Sequence, residues 1–262
     1  MPEPATFDFD EVDFITSDTH FSHARIVELA ARPFTGVEEM DAELIRRWNE
    51  TVGPVAMVLH LGDLALGPIA DSLPLTGQLH GRRLLVPGNH DRVSPATQTK
   101  RAIERFTPLY EEAGWHILPE VVTGTRSGQR LVASHYPYSG DTQGDDRYVA
   151  HRPVDRGLPL LHGHTHDHEN GPFGHQFHVG VDAFGFAPIP MTLVDAWLED
   201  LRREEEEIAA IVRDRSAAGD SSPLSEVANR LGIDLDALWP RRRDSSAMSN
   251  SPDRLGIAWL SR

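Results

Sequence analysis

The sequence contains no cysteine. Disulfide bonds and thiolate metal ligands are therefore excluded, and with them any structural zinc site built on sulfur. No apolar run approaches the roughly 20 residues that span a bilayer. The acidic segment 1–13 also lacks the basic start and apolar stretch of a secretory signal. We therefore expect a cytoplasmic protein without a membrane partner.

Positive charge is scarce, with 25 Lys and Arg against 40 Asp and Glu and a net charge of −15. Proteins that bind long nucleic acids usually present basic surfaces, so a long nucleic acid is a disfavoured partner. A small anionic substrate is not excluded, because bound metal ions reverse the local electric field. Histidine, in contrast, occurs 14 times and concentrates in short clusters.

Short apolar segments alternate with longer amphipathic ones, a pattern that predicts an α/β fold. Ser22 has the position of a helix N-cap, and Thr35 and Glu38 have the spacing of a capping box. Strands are expected at 12–15, 55–61, 84–86, 131–133, 158–161 and 176–181, and helices at 23–31, 35–49, 102–112 and 192–213.

Polar clusters follow the ends of five of these strands, and four of the clusters contain histidine. In α/β folds, loops that leave strand ends converge on binding sites. Five unrelated polar turns are the alternative, which we disfavour because turns select Asp, Asn and Gly but not His. The clusters are Asp18-Thr19-His20, Gly62-Asp63, Gly88-Asn89-His90-Asp91, His135 and Gly163-His164-Thr165-His166.

The side chains in these clusters suit borderline divalent metals such as Mn, Fe, Co, Ni or Zn. Residues two apart on an extended segment point to the same side of the backbone. We therefore expect Asp18 and His20 to act as one pair of ligands and His164 and His166 as another.

All five clusters, in this order, resemble the calcineurin-like metallophosphoesterase superfamily, whose pattern is DxH, GD, GNH[DE], a lone His and GHxH. The resemblance covers residues 18–186. The segments "SDTHFSH", "RPF", "HLGD" and "VGVDAFGFAPI" are similar to a branch of small bacterial and phage phosphodiesterase-like proteins. The resemblance implies a four-layer αββα sandwich of two mixed β-sheets flanked by helices.

The resemblance also implies a centre of two divalent metal ions, with Mn the most suitable for assays. Its catalytic residues would be His90, Asp91 and Asn89: His90 donates a proton to the leaving oxygen, and Asp91 orients His90. The first ion is assigned to Asp18, His20 and His166, the second to Asn89, His135 and His164, and Asp63 to both.

The implied activity is hydrolysis of phosphodiesters by metal-activated water, with small 2′,3′-cyclic nucleotides as the leading substrates. A phosphomonoesterase or protein phosphatase is an alternative, although Arg92 does not match the arginine-bearing motif of those phosphatases. A break-repair nuclease is disfavoured by the acidic charge. A non-catalytic scaffold is a further alternative, but such relatives have lost ligands and none is missing here.

Several other polar residues have two interpretations each. His23 could lie at the rim of the pocket or on the surface, and the sequence favours neither. We expect His60 and His178 in the core, and we expect Asp182 to order a loop. Arg25, Arg147 and Tyr138 are either phosphate contacts or surface residues.

We divide the chain into a catalytic domain at 1–190, a C-terminal helix at 191–215 and a polar tail at 216–262. The tail is expected to be partly disordered or packed on the core. The sequence leaves the oligomeric state open.

Overall fold

Two β-sheets form the centre of the structure, a computed structural model that describes residues 6–141, 146–169 and 171–218. The strands are short, from two to six residues. They are β1 (Phe7–Asp8), β2 (Phe14–Thr16), β3 (Met57–His60), β4 (Arg82–Leu85), β5 (Trp115–Ile117), β6 (Val121–Arg126), β7 (Gln129–Ser134), β8 (Leu160–His162), β9 (Pro172–Phe173), β10 (Gln176–His178) and β11 (Ile189–Pro190).

Both sheets are mixed. The six-stranded sheet has the order β1-β6-β7-β8-β10-β9, and only the β6–β7 and β9–β10 pairs in it are antiparallel. The five-stranded sheet has the order β11-β2-β3-β4-β5, and only β11 runs antiparallel to its neighbour. Parallel neighbours bring their carboxyl ends to a common edge, which is where the predicted polar clusters begin.

The described residues also form five α-helices: α1 (Ile26–Leu29), α2 (Val37–Thr51), α3 (Ile69–Thr76), α4 (Lys100–Glu112) and α5 (Met191–Ala218). The predicted class, α/β with two mixed sheets flanked by helices, is confirmed. Within the described part of the chain, no helix combines the length and apolarity needed to cross a bilayer.

The buried strand β3 shows why the layers stay together. Val58 packs in a cluster with Leu44 and Trp48 of α2, whereas Leu59 packs in a second cluster with Leu131 of the other sheet. Successive side chains of a strand point to opposite faces, so one apolar run seals both the helix–sheet and the sheet–sheet layer. The loops that follow the strand are thereby held on a rigid base.

Local details differ from the sequence-based expectations. Ser22 does not cap α1, because that helix begins later, at Ile26. The backbone N–H of Ser22 instead donates to Asp41 of α2 at 3.0 Å. Thr35 lies one residue before Gly36, the N-cap of α2, so its hydroxyl and backbone N–H donate to Glu39, the third residue of the helix, rather than to Glu38.

Six of the strands and helices were not expected from the sequence: β1, β5, β6, β9, β11 and α3. The strand β5 has three residues, and α3 contains Pro74, which hides its helical pattern. Of the polar tail predicted at 216–262, residues 216–218 continue α5 and residues 219–262 lie outside the described residues.

Candidate metal centre

Each predicted ligand lies just beyond the carboxyl end of a strand. Asp18 follows β2, Asp63 follows β3 and Asn89 follows β4 in one sheet, while His135 follows β7 and His164 follows β8 in the other. The two sheets thus contribute to one site from their facing edges. All five side chains are buried, with relative exposures of 8% or less.

The backbone at five of the seven predicted ligands adopts the left-handed conformation. The φ angle is 60° at Asp18, 54° at His20, 56° at Asp63, 74° at His164 and 52° at His166. The expectation that each pair lies on an extended segment is therefore wrong: the side chains converge because both members of each pair turn left-handed. This conformation is costly for residues other than glycine and concentrates at functional sites.

Asp18, His20 and His166 form what we call the first donor group. The Nε2 atoms of His20 and His166 lie 3.2 Å apart, and an Asp18 oxygen lies 3.9 Å from His166 Nε2. Ligand atoms that share one ion at about 2.1 Å lie roughly 3.0–3.4 Å apart. The two imidazole nitrogens therefore have the spacing of atoms that bind a common cation.

Asn89, His135 and His164 form the second donor group. His135 Nε2 lies 3.1 Å from Asn89 Oδ1 and 3.2 Å from His164 Nδ1. Asp18, Asp63 and His135 also present ligand atoms within 4.8 Å of one another, so the Asp18 carboxylate lies beside both groups.

Asp63 occupies the position between the two groups. Its Oδ2 lies 3.5 Å from His20 Nε2 and 3.6 Å from His135 Nε2, while its Oδ1 accepts the backbone N–H of His90 at 2.8 Å. Burial acts to raise the pKa of Asp63, but the neighbouring His135 and His90 outweigh it, so the pKa is lowered and the carboxylate stays ionised.

The outer nitrogens of the ligand histidines show which inner nitrogens carry a lone pair. His135 Nδ1 donates to the Leu61 carbonyl at 2.8 Å, and His166 Nδ1 donates to Asp182 at 2.8 Å. Carbonyl and carboxylate oxygens only accept, so a neutral ring keeps its lone pair on Nε2. His135 Nε2 then faces the Asn89 oxygen, acceptor against acceptor, and a cation between them removes the repulsion. The residues present fit divalent metal ions.

A buried ion pair backs the first donor group. Arg32 Nε donates to Asp182 at 2.7 Å, and the same guanidinium donates to the carbonyls of Asp18 at 2.6 Å and Thr19 at 2.9 Å. Burial acts to raise the pKa of Asp182, but His166 and Arg32 lower it to about 2. Asp182 therefore orients a ligand histidine, and Arg32 is a site residue that the sequence alone did not identify.

Asp141 backs the second donor group and was also missed. Its Oδ2 lies 3.1 Å from His164 Nε2, which leaves Nδ1 of that ring for the centre. Asp141 also accepts from Arg147 at 2.6 Å. Asp141 follows the ligand His135 on the segment after β7, but it belongs to none of the five clusters, and its contact with His164 is a matter of tertiary structure.

The last two residues of the GNHD cluster, His90 and Asp91, have different surroundings. His90 is 40% exposed and its Nε2 lies 3.9 Å from Asp63 Oδ2, at the open side of the donor groups. The expectation that Asp91 orients His90 is not met. The Asp91 carboxylate accepts the backbone N–H groups of Asp63 at 2.9 Å, Leu64 at 3.1 Å and Gly88 at 2.8 Å. Burial raises the pKa of Asp91 to about 7.

The remaining candidates divide between core and site. His60 and His178 are buried, which confirms their core positions. His23 is half-buried, and its Nδ1 lies 3.3 Å from His20 Nδ1. Burial lowers its pKa to about 4. Tyr138 donates its hydroxyl to the Leu158 carbonyl.

Comparisons with known proteins give two close sequence relatives. The Gene 66 protein of Mycobacterium phage D29 is 34% identical over 202 residues, which cover 72% of this chain and 96% of that protein. The Gene 66 protein of Mycobacterium phage L5 is 32% identical over 193 residues, with coverage of 66% and 87%. No protein-family model matches the chain.

A solved structure shares the fold. A protein of unknown function from Aquifex aeolicus superposes with a TM-score of 0.54 at 22% sequence identity, covering 70% of this chain and 97% of that one. At this identity the likeness concerns the fold alone.

Proposed function

We propose a catalytic function for this chain, which belongs to the family of the Gene 66 proteins of Mycobacterium phages D29 and L5. The function is metal-dependent hydrolysis of phosphodiesters. The observation that carries it is the place of Asp63, one of whose carboxylate oxygens lies 3.5 and 3.6 Å from a histidine of each donor group. A carboxylate between two sets of ligands is the arrangement that holds two ions side by side.

We also propose that the family belongs to the calcineurin-like metallophosphoesterases, in their small bacterial and phage branch. The support is the convergence of all five sequence clusters on one edge of the fold. When bound, two divalent ions lower the pKa of water toward neutrality and offset charge on the phosphoryl oxygens. The first donor group would hold one ion and the second donor group the other, with Asp63 shared.

The chain's own groups then have separate tasks. His90 lies at the open side of the donor groups, within 3.9 Å of Asp63, where an imidazole can give a proton to the leaving oxygen. Asp182 and Asp141 hold the rings of His166 and His164 in one tautomer and orientation. Asp91 holds the backbone that presents Asp63.

The charge around the centre favours diesters over monoesters. A monoester carries nearly two negative charges at neutral pH and a diester carries one. Two arginines that lie behind the donor groups are paired with carboxylates, Arg32 with Asp182 and Arg147 with Asp141. We therefore propose small diesters as substrates, with 2′,3′-cyclic nucleotides among the best because their five-membered ring is strained.

A substrate panel tests this function. The protein with saturating Mn²⁺ is assayed on 2′,3′-cyclic AMP, 3′,5′-cyclic AMP, AMP and single-stranded DNA, with Asp63→Asn as the matched inactive control. We expect the highest kcat/KM for 2′,3′-cyclic AMP and no turnover in excess chelator. Faster hydrolysis of AMP than of either diester would replace this function with a phosphomonoesterase.

Metal analysis separates the enzyme from a non-catalytic scaffold. The purified protein should bind two equivalents of Mn²⁺, and Asp63→Asn should bind less. A protein that binds no divalent metal and hydrolyses none of the panel would contradict the catalytic function.

A further inference from the structure

The outer contact of His20 differs from those of the other ligand histidines. The rings of His135, His164 and His166 each direct one nitrogen toward an oxygen, of a carbonyl or a carboxylate. His20 instead directs Nδ1 at the Nδ1 of His23, at 3.3 Å. A carbonyl or carboxylate oxygen only accepts the hydrogen bond of a ligand histidine. A second imidazole in that place has another ring nitrogen, whose protonation is set by the same contact.

The proton positions follow from the chemistry of imidazole. His20 Nε2 points at His166 Nε2 and is the ligand atom of the first donor group. A neutral ring that binds through Nε2 carries its proton on Nδ1. His20 Nδ1–H therefore donates to His23 Nδ1, which must accept. The proton of a neutral His23 then lies on Nε2, so that this nitrogen is a donor.

The backbone holds His23 in place for this contact. Its N–H donates to the His20 carbonyl at 3.1 Å, which closes a turn between the two residues. The intervening Ser22 is left-handed and donates its N–H to both oxygens of Asp41 on α2, at 3.0 and 3.1 Å. The turn is thus fixed to a long helix, which holds the backbone of His23 where its imidazole reaches His20.

The ring of His23 also lies at the open side of the donor groups, near His90. Its centroid lies 5.2 Å from that of His20 and 5.9 Å from that of His90. The side chain is half-buried, whereas the ligands are buried. A phosphoryl group bound over the donor groups would have His90 and His23 at its border.

We propose that His23 has two tasks: its Nδ1 positions His20 for metal binding, and its Nε2–H donates a hydrogen bond to a phosphoryl oxygen of the substrate. The second task rests on the proposed function; the first does not.

Two substitutions separate the tasks. Asn places a polar atom near the position of His Nδ1, so His23→Asn keeps the acceptor for His20 but loses the donor for substrate. Gln reaches the position of Nε2, so His23→Gln keeps the donor and loses the acceptor. His23→Ala removes both. His116 is an exposed histidine on β5, and His116→Ala is the matched control.

Two measurements are made on each variant. The metal-free protein is titrated with Mn²⁺ in a calorimeter to obtain the affinity. The protein with saturating Mn²⁺ is assayed on bis(p-nitrophenyl) phosphate to obtain kcat and KM. We expect His23→Ala to lose about 10–100-fold in affinity for one ion and about 100-fold in kcat. His23→Asn should keep the affinity and lose kcat, and His23→Gln should do the reverse. His116→Ala should match the wild type in both.

Equal affinities of the Asn, Gln and wild-type proteins would overturn the positioning task, and an unchanged kcat in His23→Asn would overturn the donor task. If the wild type hydrolyses no ester, the proposed function and the donor task fail together. The positioning task is then decided by the Mn²⁺ affinities alone, with the Asn variant expected to bind more tightly than the Gln variant.

Discussion

Arg32 and Asp182 form a fully buried ion pair, with Arg32 Nε 2.7 Å from Asp182 Oδ1. The guanidinium also donates to two carbonyls of the loop after β2, and the carboxylate accepts from His166. The pair therefore joins the two segments that supply the first donor group. Neither residue binds the centre, yet both fix where its ligands lie.

Arg32→Gln should destabilise the protein and weaken the first donor group. Removing one partner of a buried pair leaves an uncompensated charge and costs about 3–5 kcal/mol. Urea unfolding of the metal-free protein measures the loss. Arg46→Gln is the control, because the pairs of Arg46 with Glu43 and Glu50 lie on the exposed face of α2. A loss no larger than that of the control would mean that Asp182 does not need Arg32.

Asp63→Asn should reduce metal binding at both donor groups while leaving the fold intact. The amide keeps an oxygen that can accept the His90 backbone N–H, but it removes the negative charge between the groups. We expect turnover to fall by more than about 100-fold, beyond the usual effect of losing a partner of a ligand. Calorimetric titration with Mn²⁺ and a thermal melt check this. Asp71→Asn, on the exposed side of α3, is the matched control; full binding of two ions by Asp63→Asn would contradict the shared position.

His90→Ala should affect the leaving group rather than the metal. The variant should keep its bound Mn²⁺, because His90 Nε2 lies 3.9 Å from Asp63 and outside both donor groups. Loss of a general acid costs about 10²–10⁴-fold on esters with basic leaving groups and far less on p-nitrophenyl esters. Rates on alkyl and p-nitrophenyl diesters are compared. Equal losses on the two, or loss of metal, would show that His90 has another role.

Gly163→Ala should disturb the centre although glycine binds nothing itself. A Cβ atom at this position would overlap the Asp18 carboxylate and the Ser17 hydroxyl. Asp18 must then shift, and we expect weaker Mn²⁺ affinity and a lower melting temperature. Gly53→Ala is the control, since a Cβ there meets nothing within 4 Å. Wild-type affinity in Gly163→Ala would show that the loop tolerates the shift.

His178 should make the metal-free protein less stable in acid. Burial lowers its pKa to about 3, against about 6.5 in an unfolded chain. Between these values the unfolded state binds more protons, so stability falls as the pH drops, by up to about 1.4 kcal/mol per pH unit. His178→Leu should reduce this slope in urea unfolding at pH 7, 6 and 5 with chelator present, and the remaining slope belongs to other buried histidines such as His60 and His162. A variant with the wild-type slope would mean that His178 does not titrate on unfolding.

The sequence predicted some elements well and others not at all. The strand at 55–61 and the helix at 102–112 were recovered as β3 and α4, because an apolar run and an amphipathic pattern are local properties. The helix α3 was not expected, because a proline such as Pro74 is unfavourable inside a helix. Edge strands such as β5 carry too few residues for a periodic pattern.

The sequence by itself determined the chemical types of the site: carboxylates, imidazoles and one amide in five ordered clusters, each at the end of an apolar segment. The tertiary structure decided how they meet. Left-handed backbone at Asp18 and His166 aims side chains that an extended segment would have aimed differently. The contacts of Arg32 with Asp182, and of His23 with His20, also depend on three-dimensional packing. A motif records which atoms are available, but orientation and tautomer are set by partners that local sequence patterns do not specify.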